Sequence, residues 1–403
     1  MDSVVIAPID NPEGASRTAY QRVLDIRFTG SGSEYFRIWS VNLLLILVSL
    51  GLYYPFAKAR RIRYFYANTL VDGQALSFHG DPWKMFRGFV LLVVLMAVYS
   101  LARYLWPAAA VPALVVLCAV WPVLWRASMQ FRLSNTAWRG LRMGFSGSLK
   151  NAYLALTPFY LPLIAFVALS QWMIPAAADA AAAEPAAGPQ FSGWVFAPMA
   201  LMLLAGPWAM ALIKRYQHGG YRMANQQCQM ALPAGRLYVL ALKALFLTIV
   251  FAVGAAILIG VVFGGLAVSV GGHSEGMKPW AGLVGGAIGL LAYAAYFVVI
   301  GPFLACRMQN LVWDATRSQS VQFHSRLSFK PLLWLTLKNW SLVALTLSLY
   351  RPFAAVNTAR MRLEAVSLSL DGDLATWAAP SAQGLADASG EIAGDFFGID
   401  MGL

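Results

Sequence analysis

The chain has 403 residues, of which 59% are hydrophobic and only 12% are charged, and its formal net charge is +12. Soluble domains carry about 45–50% apolar and about 25% charged residues, so the apolar surface here far exceeds what one buried core needs. The composition excludes an ordinary soluble domain and indicates an integral membrane protein.

The first residues, 1–23, form a polar tail of mixed charge. This stretch lacks the short apolar core and small-residue cleavage site of a signal peptide, so we expect no part of it to be removed. The three cysteines, Cys118, Cys228 and Cys306, are far apart in the sequence. Their spacing predicts neither a disulfide framework nor a thiolate metal site.

Six stretches are apolar over about 20 residues, the length that crosses ~30 Å of hydrocarbon. They are 89–105, 111–125, 152–173, 195–213, 237–270 and 280–306. Two further apolar stretches, 38–56 and 332–353, each contain an asparagine and have basic residues on both sides. A single crossing would leave one basic flank outside, so we predict that these two enter and return as re-entrant or in-plane hairpins. Eight full crossings are the alternative.

The charges of the linkers predict the topology. Between residues 82 and 312 the acids are Asp179, Glu184 and Glu275, and all three lie in the linkers after the third and fifth stretches. The alternate linkers are basic, which places them in the cytoplasm. The sequence therefore predicts a mainly α, multi-pass membrane protein, with three helical hairpins that enter from the cytoplasmic side.

An internal repeat is visible when five prolines are aligned. The aligned segments are "YYPFAKAR", "VWPVLWRA", "AGPWAMAL", "IGPFLACR" and "YRPFAAVN", with Pro55, Pro122, Pro207, Pro302 and Pro352 in the same position. Most copies are followed by a short segment of alternating apolar residues, which is typical of half-buried strands. We predict that each unit comprises a cytoplasmic strand, a membrane hairpin with a proline-marked exit and the next strand. Since isolated strands are marginal, these strands should pair into a small sheet under the membrane.

Three polar residues lie inside the two terminal apolar stretches and form a candidate polar cavity: Asn42, Asn339 and Lys338. Asn42 and Asn339 each precede their proline by thirteen residues. A buried unpaired amide costs a few kcal/mol, and a charge at mid-membrane costs ~2.5–3.5 kcal/mol on insertion scales, so these residues need partners. They either form interhelical hydrogen bonds, which is the more common arrangement, or line a wet cavity between the two ends of the chain.

Four cations follow the first aligned proline within a few positions: Lys58, Arg60, Arg61 and Arg63. Such a cluster usually fixes the orientation of a membrane segment and attracts anionic lipid headgroups, each base near the surface contributing ~1 kcal/mol. The alternative is a dedicated site for an anionic headgroup or solute.

The sequence contains no recognisable catalytic arrangement. It has no carboxylate inside a predicted span, no His-Glu-x-x-His, no phosphate-binding loop and no Gly-x-Ser-x-Gly; these motifs would indicate proton relays, zinc hydrolysis, nucleotide binding and acyl transfer. We therefore expect no enzyme activity, no cofactor, no metal and no nucleic-acid partner.

Several segments resemble a known family. They are "FTGSGSEYFRIWSVNLLLILVSLGLYYPFAKARRIRYFYANTLVDG", "SNTAWRGLRMGFSGS" and "AGDFFGIDMGL", which are similar to the YjgN-like family of bacterial inner-membrane proteins. The resemblance implies a location in the cytoplasmic membrane of a bacterium. It supplies no catalytic residues.

The chain divides into the polar tail, a repeat-containing membrane domain over 24–372, and an acidic tail over 373–403. From residue 371 onward the sequence holds six acids and no base, so we hypothesise that the tail docks on the basic cytoplasmic face or on a protein partner. Internal repeats, broken terminal segments and buried polar residues recur in transporters. They favour a channel- or transporter-like protein for a small solute or lipid; the alternative is a non-transporting membrane scaffold or adaptor that binds a protein partner at its cytoplasmic face.

Overall fold

The computed structural model describes residues 21–183, 193–223, 226–269 and 278–371. The predicted acidic tail, and with it the docking hypothesis, lies outside the described residues, as does most of the polar N-terminal tail. The helices are α1 (Gly32–Val48), α2 (Tyr54–Ala67), α3 (Pro82–Leu105), α4 (Ala110–Ser134), α5 (Leu149–Ala183), α6 (Ala197–Gly219), α7 (Ala234–Ser269), α8 (Lys278–Asp314), α9 (Phe329–Leu345) and α10 (Arg351–Glu364). The strands are β1 (Gln21–Phe28), β2 (Thr69–Val71), β3 (Gln74–Phe78), β4 (Thr136–Trp138), β5 (Leu141–Phe145), β6 (Tyr221–Met223), β7 (Gln226–Gln227), β8 (Gln229–Met230), β9 (Thr316–Arg317), β10 (Val321–Ser325) and β11 (Val366–Asp371).

Six helical segments are long and apolar enough to cross a membrane within the described part of the chain. They are Pro82–Leu105, Pro107–Ser134, Leu149–Met173, Gly193–Gly219, Ala234–Val262 and Leu283–Asp314. Each overlaps one of the six apolar stretches, so the prediction of a mostly helical protein with six helices able to span a membrane is confirmed.

The strands close into a ring. They lie in the order β7-β6-β5-β4-β3-β2-β1-β11-β10-β9-β8, and all paired strands are antiparallel. The two ends of this order, β7 and β8, are separated in the chain by Cys228 alone, whose backbone N–H donates to the carbonyl of Tyr221 at 2.8 Å. One short segment, 226–230, therefore pairs with β6 on one side and β9 on the other, and completes the ring.

Five units of strand, helix pair and strand make up this ring, each with two neighbouring antiparallel strands. In chain order they are unit one (β1, α1, α2, β2), unit two (β3, α3, α4, β4), unit three (β5, α5, α6, β6), unit four (β8, α7, α8, β9) and unit five (β10, α9, α10, β11). Because paired strands are antiparallel, every helix pair leaves and rejoins the ring at the same edge. At that edge a backbone N–H just after the first strand donates to the carbonyl just before the second: Thr29 to Asn68, His79 to Asn135, Ser146 to Gly220, Ala231 to Ala315 and Arg326 to Ala365, at 2.8–3.1 Å.

The transition from strand to helix is set locally in the first three units. The side chains of Ser31 and Asp81 cap the first helices of units one and two, accepting from the backbone N–H groups of Glu34 and Trp83 at 3.2 and 2.9 Å. Ser148 does the same in unit three, accepting from Asn151 at 3.2 Å. Such caps satisfy N–H groups that have no partner inside the helix.

Apolar side chains fill the ring. Successive strand residues point to opposite faces, and the inward positions form one cluster around the buried Leu24, Val71 and Trp138. The half-buried members are Ile26, Leu76, Met143, Met223 and Leu368. The indole N–H of Trp138 donates to the carbonyl of Val71 at 3.2 Å. The inside of the ring is therefore filled with apolar side chains.

Five further clusters, here called junction cores, lie where one unit meets the next. They contain Ala59, Phe78, Met85 and Phe131 between units one and two; Trp125, Phe145, Ala152 and Tyr216 between two and three; Ala211, Leu232 and Leu237 between three and four; Cys306, Leu327 and Leu332 between four and five; and Val356, Phe28 and Tyr35 between five and one. The last core joins the two ends of the chain, so the ring of units has no open side.

The helix pairs of units one and five are short. α1 and α9 have 17 residues each, a length of about 25 Å, and the chain turns back at residues 49–53 and 346–350. Leu50, Gly51, Leu347 and Ser348 have positive φ in these turns. In both stretches the chain therefore turns back toward the edge of the ring from which it leaves. Units five and one are neighbours, and their helices α1, α2, α9 and α10 are shorter than those of the other units. This part of the helical wall is here called the low sector.

Candidate functional site

The five aligned prolines occupy equivalent places in the second helix of each unit. Pro122, Pro207 and Pro302 lie inside α4, α6 and α8, whereas Pro55 and Pro352 lie in the first turns of α2 and α10. Each helix ends twelve residues after its proline, at Ala67, Ser134, Gly219, Asp314 and Glu364. In units two to four the proline therefore does not end the helix, and the last three turns continue to the edge of the ring.

The cations after Pro55 have several partners within the protein, and their contact with an anionic lipid or ligand stays a prediction. Arg63 donates from Nη2 to the carbonyl of Gly80 at 2.9 Å. Arg60 contacts the Oδ1 atom of Asn42 at 3.4 Å and lies 5.5 Å from the centre of the Tyr53 ring, whereas Arg61 lies over the ring of Phe65 at 5.8 Å. The three guanidinium groups thus have different partners. Lys58 lies at a small cleft between α2 and α4 with Ser128 and Arg132.

The contact of Arg63 recurs around the ring. In every unit a side chain of the second helix donates to the carbonyl at the strand-to-helix turn of the next unit. The other pairs are Arg126 to Gly147 at 2.8 Å, Arg215 to Leu232 at 2.8 Å, Asn310 to Leu327 at 3.0 Å and Arg360 to Gly30 at 2.8 Å. The pair of Arg360 and Gly30 closes the circle from unit five to unit one. These five hydrogen bonds, here called ties, hold each unit to the next. Counting the charges of each linker in the sequence did not reveal this role.

A signal for the ties was present in the sequence. Arg63, Arg215, Asn310 and Arg360 each lie eight residues after the aligned proline of their unit. In unit two that position is Gln130, and Arg126, four residues earlier, takes its place.

The two asparagines of the predicted cavity make their described hydrogen bonds within their own units. Asn42 is buried and contacts Arg60, whereas Asn339 is buried and donates to the hydroxyl of Thr358 at 3.2 Å. Each asparagine thus joins the two helices of its own unit, while Lys338 is exposed on α9. The Oδ1 atom of Asn339 finds no hydrogen-bond partner among the described residues. A wet cavity lined by both asparagines stays a prediction.

A cavity lies elsewhere, open on the flank of the helical wall between α7, α8 and α9. Its volume is about 540 Å³, and its lining is Val239, Leu242, Lys243, Phe246, Leu247, Val299, Phe303 and Phe329. Lys243 is the one charged residue in this lining, nine residues into α7 and exposed. The cavity thus combines an apolar wall on two spanning helices with a single cation.

The described ranges contain no cluster of side chains that could hold a metal ion. No group of three or more His, Cys, Asp or Glu side chains comes together there, and Cys118, Cys228 and Cys306 are free thiols.

Comparison with known proteins identifies the family. Residues 23–396 match the family described as "Bacterial protein of unknown function (DUF898)". The chain is 26% identical over 355 residues to the inner membrane protein YjgN of Salmonella typhimurium, which covers 82% of this chain and 84% of that protein. It is 29% identical to YjgN of Escherichia coli O157:H7 over 142 residues, and 28% identical to YjgN of Escherichia coli K12 over 138 residues; each match covers 34% of both chains. No solved structure matches. The chain belongs to the DUF898 family and is a multi-pass protein of the bacterial inner membrane.

Proposed function

We propose that this inner-membrane protein binds anionic phospholipid on the flank of its helical wall, in the cavity between α7, α8 and α9. The observation that supports the proposal is the composition of that cavity, an apolar lining on two membrane-spanning helices with the single cation Lys243. Acyl chains would pack on the apolar side chains, including Phe246 and Leu247. The ammonium of Lys243 would meet the lipid phosphate, because a lysine stem can reach along apolar surface to the interface.

The apolar side chains inside the ring argue against a channel that carries solutes along the axis of the ring. Trp138 is only 4% exposed and Leu24 only 3%, and their cluster blocks the axis with apolar side chains. Ions and polar solutes need hydrogen-bonding groups along their path. A lipid that stays beside the wall needs no passage through the ring.

The proposal includes the orientation of the protein in the membrane and the origin of its five units. The edge of the ring carries the basic residues of the alternate linkers, so the ring faces the cytoplasm by the positive-inside rule. In this orientation the short helix pairs of units one and five are re-entrant segments. The five units are copies of one repeat, with the aligned prolines as its marker.

Native mass spectrometry of the purified protein tests the lipid site. The protein is released from nanodiscs of phosphatidylcholine with phosphatidylglycerol, and the retained lipid is compared between wild type, Lys243→Ala and Leu247→Trp. Lys243→Ala removes the cation, and Leu247→Trp fills the apolar part. Arg87→Ala removes an exposed cation on α3, outside the cavity, and serves as the matched control.

We expect wild type and the Arg87→Ala control to retain phosphatidylglycerol in preference to phosphatidylcholine, and both cavity variants to lose most of that preference. Equal retention in all four proteins would refute the site. Absence of any lipid preference in wild type would instead favour the alternative of a scaffold that binds a protein partner.

A further inference from the structure

A second polar cluster lies apart from the cavity of Lys243, in the last two turns of three helices before they reach the ring. It is formed by Lys214 on α6, Gln309 on α8 and Arg362 on α10. Arg362 donates from Nε to the Oε1 atom of Gln309 at 2.8 Å, and the Nε2 atom of Gln309 donates to the carbonyl of Arg362 at 2.8 Å. Gln309 is 7% exposed and Arg362 is half-buried, so this pair holds the guanidinium in a fixed orientation.

Lys214 and Gln309 lie at the same level of the helical wall. Lys214 precedes His218 by one helical turn on α6, and Gln309 precedes Trp313 by one turn on α8. The rings of His218 and Trp313 lie 5.1 Å apart, so the two preceding turns are also neighbours. The two cations belong to units three and five, with α8 and its Gln309 between them in the order of the units.

No negative charge offsets this pair within the described residues. The two nearest carboxylates on α8 and α10 are occupied at the edge of the ring, where Asp314 accepts from the backbone of Ser325 at 2.8 Å and Glu364 from that of Phe28 at 3.2 Å. Lys214 hydrogen-bonds no described residue, and the terminal nitrogens of Arg362 hydrogen-bond none either. Burial lowers the pKa of the Arg362 guanidinium, but a guanidinium keeps its charge at neutral pH.

The third titratable group at this place, His218, adds no negative charge. It is 6% exposed, and its Nδ1 atom lies 3.1 Å from the hydroxyl oxygen of Thr316, whose own proton goes to the carbonyl of Val312 at 2.7 Å. The hydroxyl oxygen therefore accepts from Nδ1–H. His218 packs beside the cluster, between the rings of Trp313 and Tyr221.

We propose that Lys214 and Arg362 form a binding site for a phosphate-type oxyanion, with Gln309 orienting the guanidinium. Two half-buried cations repel each other when no anion is present, and an oxyanion with several oxygens can accept from both. The anion is either the phosphate of a membrane lipid or a soluble phosphate. The low sector formed by α1, α2, α9 and α10 offers a lipid a lateral way in, since α10 itself carries Arg362.

Thermal unfolding of the full chain distinguishes the two sources. Wild type is measured in detergent free of phosphate, then with inorganic phosphate, and separately in nanodiscs of phosphatidylcholine with and without phosphatidylglycerol. We expect at least one of the two anions to raise the Tm. A rise with inorganic phosphate indicates a soluble ligand, and a rise with phosphatidylglycerol alone indicates a lipid headgroup. No rise with either would overturn the proposal.

Two substitutions locate the effect. In Lys214→Met the cation is lost without loss of a hydrogen bond to the described residues, so without anion its Tm should equal or exceed that of wild type, and its affinity for the effective anion should fall about tenfold or more. Arg362→Gln should lose the response as well. Lys150→Met, an exposed cation at the start of α5, and Lys243→Ala should keep it, which separates this site from the flank cavity. A response that survives Lys214→Met, or a Tm without anion that falls in that variant, would show that no anion binds here.

Discussion

The junction cores can be tested by placing the core residues of one unit at the equivalent positions of another unit. In unit two Phe78 fills the core and its ring lies over Gly80, whereas in unit five the same two places hold Ser325 and Leu327. The large side chain thus comes from the strand in one unit and from the turn in the other. If the places are equivalent, the pair of unit five should function in unit two. The test is the double variant Phe78→Ser with Gly80→Leu, compared with each single change.

The expected magnitudes follow from what each change does to the core. Phe78 is 7% exposed, and removal of a buried Phe ring costs about 3–5 kcal/mol. A Cβ atom at Gly80 would overlap the Phe78 ring, and overpacking costs about 1–3 kcal/mol. In the double variant the new Leu occupies the space that the ring leaves. We expect its free energy of unfolding to lie within about 2 kcal/mol of wild type, so the two changes couple favourably.

The assay is unfolding of the purified protein by SDS titration, followed by tryptophan fluorescence, with circular dichroism to verify that each variant starts folded. Gly254→Ala is a matched control, because a Cβ atom at that glycine of α7 meets nothing within 4 Å. Its stability should stay close to that of wild type. If the losses of the two single variants simply add in the double variant, the equivalence of the two places is refuted.

Two further predictions concern the closure of the ring. Arg360→Met removes the charged hydrogen bond to Gly30 and should lower the free energy of unfolding by about 1.5–3 kcal/mol, whereas Arg351→Met on the same helix, which makes no described side-chain hydrogen bond, should change it little; equal losses in the SDS titration would contradict the tie. Cys228 lies between β7 and β8, and burial raises its pKa to about 11. At pH 8 the thiolate fraction, and with it alkylation by N-ethylmaleimide, should be on the order of 100-fold below that of an ordinary cysteine; peptide mass spectrometry of native and SDS-unfolded protein checks this. Because the folded pKa is the higher one, the contribution of this thiol to stability should be lost as the pH rises from about 9 to about 11.

The spanning helices were predictable because hydropathy over 20 residues is a local signal. The ring was not, because its closure depends on pairs that are distant in sequence. β1 pairs with β11, so that Leu24 lies opposite Leu368. On the other side the closing segment "QQCQM" has only five residues. Its alternation of Cys228 and Met230 with polar residues indicates a strand, but does not show which two strands it pairs with. Its place is set by the strands of units three and four.

The basic cluster after Pro55 shows a second limit of sequence analysis. Counting Lys and Arg per linker predicts which side of the membrane a linker occupies, but it cannot show which atoms a guanidinium meets. Arg63 meets a backbone carbonyl that would otherwise lack a partner at a turn, and such carbonyls occur in every unit. The regular spacing from proline to tie was visible in the sequence. Its role can be recognised only when the next unit is known to lie beside the tie.

The distribution of burial connects the architecture to the proposed lipid binding. In the most apolar 18-residue window of α7 no residue is buried, and in that of α8 only 6% are. By contrast Leu232, just before α7, is 0% exposed. Unit four is therefore held mainly at the ring, by the junction cores and the ties, while the outer parts of α7 and α8 contribute little protein packing. Apolar helix surface that no protein covers must be covered by lipid in a membrane. The groove that contains Lys243 is such a surface, and its cation is the partner that we propose for a charged headgroup.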